Sequence, residues 1–358
     1  MLWMRRTLIP GALLVLLLTA CTAPSPASTA TSAPPTPASL PSPTVSTPAP
    51  PTSTTTTSTA TPIPMPNTVQ LSVPSANVVW ALVAGSRLYR STDRGDTWED
   101  RSTALDPLAF SREIAFVSDN DGWQATSGSP GVACASQWTG IARTGDAGAN
   151  WAQLVPAGPP VGADPSGLFG GPCKYGLSFS DTQHGFLSAR DANSTPVIYR
   201  TSDGGRTWSA SRPLPDPPGF TTRGGGVVLD PGRVRAFGAT ALVVAQGEVN
   251  GRAMRYVFRS VDGGSSWSYA ATLPDTMGAF TFVSESRWLQ IAMPAASRET
   301  TDGGATWHAF TSDYSQAAGV APTVVFDDGV VGYATVRGAI QRTVDGGAHW
   351  TAIKTPGT

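Results

Sequence analysis

The chain has 358 residues, with 24 Lys and Arg against 25 Asp and Glu, a formal net charge of −1. Without a basic stripe this near balance excludes nucleic acid as a partner. Three cysteines and three scattered histidines, with no ligand spacing, nucleophile elbow or phosphate loop around them, give no signature of a metal, a cofactor or a hydrolase centre.

At the N-terminus Arg5 and Arg6 precede an apolar run from Leu8 to Ala20, too short for a permanent bilayer span. Positive residues, a short apolar segment and small residues at its end predict a secretory signal peptide over residues 1–20. The stretch Leu18-Thr19-Ala20-Cys21 resembles the lipobox of bacterial lipoproteins. That resemblance implies that Cys21 becomes the first mature residue and carries a diacylglycerol thioether. The protein would then sit outside the cytoplasm, anchored to the bacterial cell membrane; an ordinary signal peptide with an incidental cysteine is the alternative. Two or more acyl chains supply the double anchor that stable attachment requires. Loss of Arg5 and Arg6 with the signal leaves 22 basic and 25 acidic residues, or −3.

Residues 21–66 form a linker whose Thr22–Pro66 stretch is built almost wholly from Pro, Ser, Thr and Ala, with no charge and no aromatic ring. Such a segment cannot bury enough apolar surface to offset the entropy of ordering, so it is expected to be disordered. Held near polyproline II, it would reach on the order of 100 Å, a stalk for the C-terminal domain. Its Ser and Thr density suits O-glycosylation.

Residues 67–358 are organised by a repeat, Ser/Thr-x-Asp-x-Gly-x-x-Trp, present six times. Its aspartates are Asp93, Asp146, Asp203, Asp262, Asp302 and Asp345, at intervals of 53, 57, 59, 40 and 43 residues. Its tryptophans are Trp98, Trp151, Trp208, Trp267, Trp307 and Trp350. A period of this length marks units that cannot bury their cores alone. The Asp is expected to accept backbone N–H groups one to three residues on, the Gly to supply φ > 0, and the Trp to fasten the hairpin to its neighbour. Copies spread one per unit argue for this structural role and against a shared metal or catalytic set. Arg90, Arg143, Arg200, Arg259 and Arg342 precede five boxes and are expected to pair with carboxylates or carbonyls of neighbouring blades.

Short apolar runs flank each box. Upstream, an apolar residue is followed seven places later by an aromatic: Val73 and Trp80, Phe116 and Trp123, Phe179 and Phe186, Phe326 and Tyr333. Phe282 and Trp288 repeat the pair with one residue fewer. Each unit therefore reads as four antiparallel strands, a propeller blade. The pattern Phe-x-Asp-x-x-x-Gly-aromatic followed by Thr-x-Asp-Gly-Gly-x-x-Trp resembles the bacterial neuraminidase (Asp-box) repeat propellers, and among them the photosystem II stability/assembly factor-like group. The resemblance covers roughly residues 67–358, with the fourth unit the poorest match because Val227-Val228-Leu229-Asp230-Pro231-Gly232 lacks the aromatic. The fold expected is an all-β propeller of six blades of four antiparallel strands, with seven, the number in those assembly factors, as the alternative.

With Cys21 lipidated, Cys134 and Cys173 remain as an even pair in an oxidising compartment. The first lies between the second and third strands of blade two, the second in the connection to blade three. Both fall on one face at adjacent blades, so a disulfide is expected rather than two free thiols. The insertions Ser127–Gly140, Pro156–Tyr175, Ser211–Gly226 and Gly247–Arg252 are expected on that same face, opposite the boxes, where loops on a rigid scaffold commonly bind. Trp138, Phe169, Lys174, Tyr175 and Arg223 are the candidate ligand residues there, each with loop packing as its alternative role.

No catalytic residue is assigned. A sialidase needs three convergent arginines, a Tyr nucleophile aided by a Glu, and an Asp acid/base. The Arg-Ile-Pro motif common in such enzymes is missing, and Glu99, Glu113, Glu248, Glu285 and Glu299 show no recognisable setting. The expected function is a lipid-anchored scaffold or binding module for a protein or glycan of the cell envelope. The alternative is a sialidase-like exo-glycosidase, favoured if three guanidinium groups face a Tyr–Glu pair in the central pocket. The sequence carries no signal for an oligomeric state.

Overall fold

A computed structural model describes residues 68–356 except 104–108, 132–133, 135–136, 191–194, 220–228, 250–251, 275–277, 293–295, 315–322 and 337. The signal peptide, Cys21, the linker and Arg223 lie outside the described residues. The described residues form one compact unit. It is a β-propeller of six blades, and each blade takes its strands from one contiguous stretch of chain. Blade one holds β1 (Val69–Ser72), β2 (Val79–Val83), β3 (Arg87–Ser91) and β4 (Glu99–Asp100). Blade two holds β5 (Ser111–Phe116), β6 (Gly122–Ser127), β7 (Thr139–Thr144) and β8 (Ala152–Val155). Blade three comes next with β9 (Cys173–Phe179), β10 (Gly185–Arg190), β11 (Pro196–Thr201) and β12 (Ser209–Ala210).

Blade four departs from the pattern. Its inner strand is broken into β13 (Asp230–Pro231) and β14 (Arg235–Phe237), both paired with β15 (Thr240–Val249), followed by β16 (Arg252–Ser260) and β17 (Ser268–Thr272). Blade five is β18 (Ala279–Phe282), β19 (Trp288–Ile291), β20 (Arg298–Thr300) and β21 (His308–Ala309). Blade six is β22 (Thr323–Phe326), β23 (Gly332–Val336), β24 (Ala339–Thr343) and β25 (Thr351–Ile353).

All six boxes fold identically at the turn between third and fourth strands. The Asp Oδ1 accepts the hydroxyl of the leading Ser or Thr at 2.7–2.8 Å. It also accepts the backbone N–H four residues on at 2.8–3.0 Å, one residue beyond the expected reach. Oδ2 takes the side chain of that same residue, Thr97, Asn150, Thr207, Ser266, Thr306 or His349. The leading hydroxyl, to which turn chemistry alone assigns no role, accepts the glycine N–H at 2.7–3.0 Å and so joins both halves of the turn. The box glycines have φ between 76° and 99°, a region costly for any residue with a Cβ.

Each box Trp packs against the preceding blade. Trp151 joins the Trp80, Leu82 and Leu88 cluster of blade one, and Trp208 joins Trp123 and Ile141 of blade two. The upstream aromatics complete the seams. Trp80 stacks on Phe116 of the next blade and Trp123 on Phe179, in both cases with ring centroids 3.8 Å apart. In blades two, three and six the glycine before the second-strand aromatic also has a packing reason. Phe116 pairs across the strands with Gly122, and a Cβ there would fall 2.3 Å from the ring; Gly185 over Phe179 and Gly332 over Phe326 repeat the arrangement.

Blade five shows what the missing residue does. With a shorter turn, Phe282 pairs directly with Trp288, so the Trp occupies the glycine's register and faces blade four with Phe282. Leu289 takes over the outward role, packing with Phe326 of blade six. A shift of one residue exchanges the two faces of a strand.

Candidate functional site

Cys134 and Cys173 form a disulfide with Cα atoms 5.1 Å apart, tying the β6–β7 loop to the start of β9. Beside it, Gln137 binds four backbone groups: it accepts the N–H of Lys174 and of Gly170, and donates to the carbonyls of Cys134 and Gly128. Lys174 is buried, donating from Nζ to the Gly170 and Pro172 carbonyls at 2.7 and 3.0 Å and lying over the Tyr199 ring. Burial pulls its ammonium down to about 8, with Asp164 opposing. Trp138 is buried under Gly128. Tyr175 is half-buried and Phe169 is exposed. Two of the candidate residues, Trp138 and Lys174, thus spend their surface on holding the loops.

The insertions joining second to third strands, β6 to β7 and β15 to β16, lie opposite the boxes as expected, but the connections between blades reach to the box side. The connection into blade three carries Ser166, whose carbonyl accepts the Trp208 N–H at 2.8 Å, and Leu168, buried against the Trp208 cluster. In the connection into blade four, the Arg212 N–H donates to the Ser265 carbonyl, and Leu214 packs with Trp267. Ahead of blade six, Asp313 accepts the Trp350 N–H at 2.8 Å, and Tyr314 lies edge-on to that ring. The reason is burial. The outer strand of blade three is only two residues long, so the connection supplies apolar cover that the strand does not.

What remains open is the propeller's centre, a cavity of about 580 Å³ lined by the inner strands of all six blades. Its charged lining comes mainly from the irregular fourth blade: Arg233, Arg235, Arg255 and Asp230, with Asp327 from blade six. Each arginine reaches a different blade. Arg233 pairs with Glu113 of blade two at 3.4 Å, Arg235 donates to the Phe326 carbonyl of blade six at 2.8 Å, and Arg255 donates to the Gly278 carbonyl beside blade five at 3.4 Å. Burial, helped by the Asp328 charge, pushes the Asp327 carboxyl up against the pull of Arg235. The sequence signal for this cluster was the absence of the aromatic in the fourth unit, which marked the position without indicating what replaced it.

The described lining of this cavity includes neither Tyr nor Glu, but a second cavity that shares Arg233 with it is lined by Glu113, Tyr175 and Arg112. Four of the five glutamates have structural partners. Glu113 accepts the N–H groups of Gly176 and Leu177, freed by a bulge in β9. Glu99, Glu285 and Glu299 pair with Arg101, Arg259 and Arg287. Burial in the core pushes the Tyr333 phenol up to about 12 and raises Tyr314 further; neither lines the central cavity. Three of the arginines preceding boxes reach the next blade: Arg90 to the Asp119 carbonyl, Arg259 to Glu285, and Arg342 to Asp96 and the Arg94 carbonyl. Arg143 instead pairs with Asp121 in its own blade.

No family model matches the chain, and no curated protein matches it. Among solved structures it is similar to YCF48 from Cyanidioschyzon merolae, at 17% identity and a TM-score of 0.42 over 81% of this chain and 86% of that one. An α-L-arabinofuranosidase Arb93A of Fusarium graminearum gives 12% and 0.46 over 81% and 97%. A GH74 enzyme of Niastella koreensis gives 16% and 0.46 over 79% and 46%. A separate YCF48 structure, at 15% identity and a TM-score of 0.42 over 79% and 95%, is described as bound to a D1 peptide. Binding factors and glycoside hydrolases stand side by side in this set, so the likeness does not choose between them.

Proposed function

We propose that this chain is an extracytoplasmic β-propeller, anchored through a lipid on Cys21, that binds a protein or glycan of the cell envelope without turning it over. The observation that carries the reading is the commitment of the would-be catalytic groups. Glu113, which pairs with the cavity-lining Arg233, is also held by two backbone N–H groups, so its carboxylate is spent on the scaffold. The arginine-rich cavity offers contacts for a ligand without a nucleophile–base pair among its described lining residues. Similarity to a peptide-bound propeller is compatible with protein partnering, and the reading does not depend on it.

The test uses the full-length protein in detergent. It is expected to release no 4-methylumbelliferone from sialic-acid or xyloglucan-type substrates, and to capture a partner from envelope extract or a glycan array. Cys21→Ser is expected to leave the membrane fraction or to block processing; a variant that fractionates and migrates like wild type removes the anchor from the proposal. Steady hydrolysis that survives repurification and vanishes in Asp327→Asn or Asp230→Asn would establish the glycosidase instead.

A further inference from the structure

The second cavity, about 380 Å³, lies at the face opposite the boxes, where Gly85 follows β2 and where β5 and β9 begin. Its polar groups are already committed. Arg112 donates to the Ser86 carbonyl at 3.1 Å, to the Thr103 hydroxyl at 2.9 Å and to the Gln124 side chain. Glu113 holds Arg233 and the Gly176 and Leu177 N–H groups, and Gln70 accepts the Ile114 N–H at 3.0 Å. What Val69, Leu82 and the Tyr175 ring then offer a guest is apolar contact.

The chain itself enters the propeller through this wall. Thr68, whose carbonyl accepts the Ala84 N–H at 2.8 Å, lines the cavity, and β1 starts at the next residue. Immediately before it, outside the described residues, the sequence reads Ile63-Pro64-Met65-Pro66-Asn67. Apart from Leu40 and Val45, residues 22–62 are all Pro, Ser, Thr or Ala. Ile63 and Met65 therefore bring large apolar side chains to the stretch of chain that adjoins an apolar cavity. Each precedes a proline, which confines it to extended backbone, where side chains two apart share a face. The prolines also lower the entropy lost on ordering. At about 3.1 Å per residue the five residues span on the order of 15 Å, enough to cross a cavity of this size.

We infer that Ile63 and Met65 dock in this second cavity, making Ile63–Asn67 a strap that closes it from the face opposite the boxes. Any other guest must displace a segment tethered at Thr68, which competes at an effective concentration on the order of millimolar. The strap is thus an autoinhibitory contact, independent of the lipid anchor and of which partner the propeller takes. Oxidation of Met65 by hydrogen peroxide tests it, followed by mass spectrometry on the detergent-solubilised full chain and on a peptide of residues 60–68. The thioether sulfur takes one oxygen, water leaves, and the rate follows the sulfur's exposure. Met65 is expected to oxidise about fivefold or more slower in the chain than in the peptide. Ile63→Ser, which lies outside the blades and leaves their packing alone, is expected to restore most of the peptide's rate. Tyr175→Ala, in the cavity wall, is expected to raise the rate severalfold. Equal rates in chain and peptide, or protection that Ile63→Ser leaves unchanged, overturns the inference. Protection that falls on dilution also overturns it, and assigns the contact to a second copy of the chain.

Discussion

Asp203 accepts the Thr201 and Thr207 hydroxyls and the N–H groups of Arg206 and Thr207, so Asp203→Ala leaves several donors in need of water. It is expected to cost about 1–3 kcal/mol, read as a lowered denaturant midpoint with the slope unchanged. Thr201→Val removes the hydroxyl that joins Asp203 to the Gly205 N–H and is expected to cost a similar amount. The double variant should lose less than the sum, because both residues serve one network. The same bonds set a pH dependence. The Thr97 hydroxyl and N–H hold Asp93 at about 2, and the Asn150 amide does the same for Asp146. A carboxylate whose folded pKa is depressed contributes stability that is full above its unfolded value, about 3.9, and is lost as pH falls through the folded one. Thermal stability is therefore expected to decline between about pH 4 and pH 2, and a decline complete by pH 4 would sink this account. His349 has the opposite sign: its bond to Asp345 raises its pKa, so that contribution is present at low pH and fades as pH rises through the raised value.

At the scale of strands and turns, the aromatic seams depend on glycine. Gly185→Ala puts a methyl 2.6 Å from the Phe179 ring, which stacks on Trp123 across the blade boundary. The overpacking is expected to cost about 1–3 kcal/mol in urea unfolding, and a neutral result would show that the ring has room to move. The disulfide acts on a connection rather than a core. Its loop spans 39 residues, and Cys134→Ser with Cys173→Ser is expected to cost about 2–4 kcal/mol, matched by dithiothreitol on the wild type but without effect on the variant. Much of this scale was legible. Turn chemistry located every box hairpin, and the apolar–aromatic spacing located the inner strands of every blade but the fourth. The paths of the connections were not, because Leu168, Leu214 and Tyr314 are single apolar residues in connecting stretches without strand periodicity, and only their partners on the adjoining blade reveal that they are buried.

For the molecule as a whole, no strand is exchanged between the first and last blades among the described residues. The seam is held by side chains: the Trp98 Nε1–H donates to the Lys354 carbonyl at 2.9 Å, Arg342 grips Asp96 and the Arg94 carbonyl, and Tyr333 and Ile340 pack with Leu71 and Val79. Trp98→Ala is expected to destabilise the whole propeller by about 3–5 kcal/mol, in one cooperative transition rather than by fraying of blade one alone. Limited proteolysis that released only blade one would contradict that. From the sequence alone came the six boxes and the expectation of six blades, because these rest on local rules of turn geometry and periodicity that repeat along the chain. The choice of six over seven and of a Cys134–Cys173 bond over two free thiols came with the structure. The sequence marked the fourth unit as irregular and could say no more. Only the tertiary structure decided that Trp138 and Lys174 are spent on packing, that Trp288 faces backward, and that Arg233, Arg235 and Arg255 meet around one cavity. The physical reason is distance along the chain: Arg235 finds its carbonyl acceptor at Phe326, 91 residues away, and closing the ring is what brings them together.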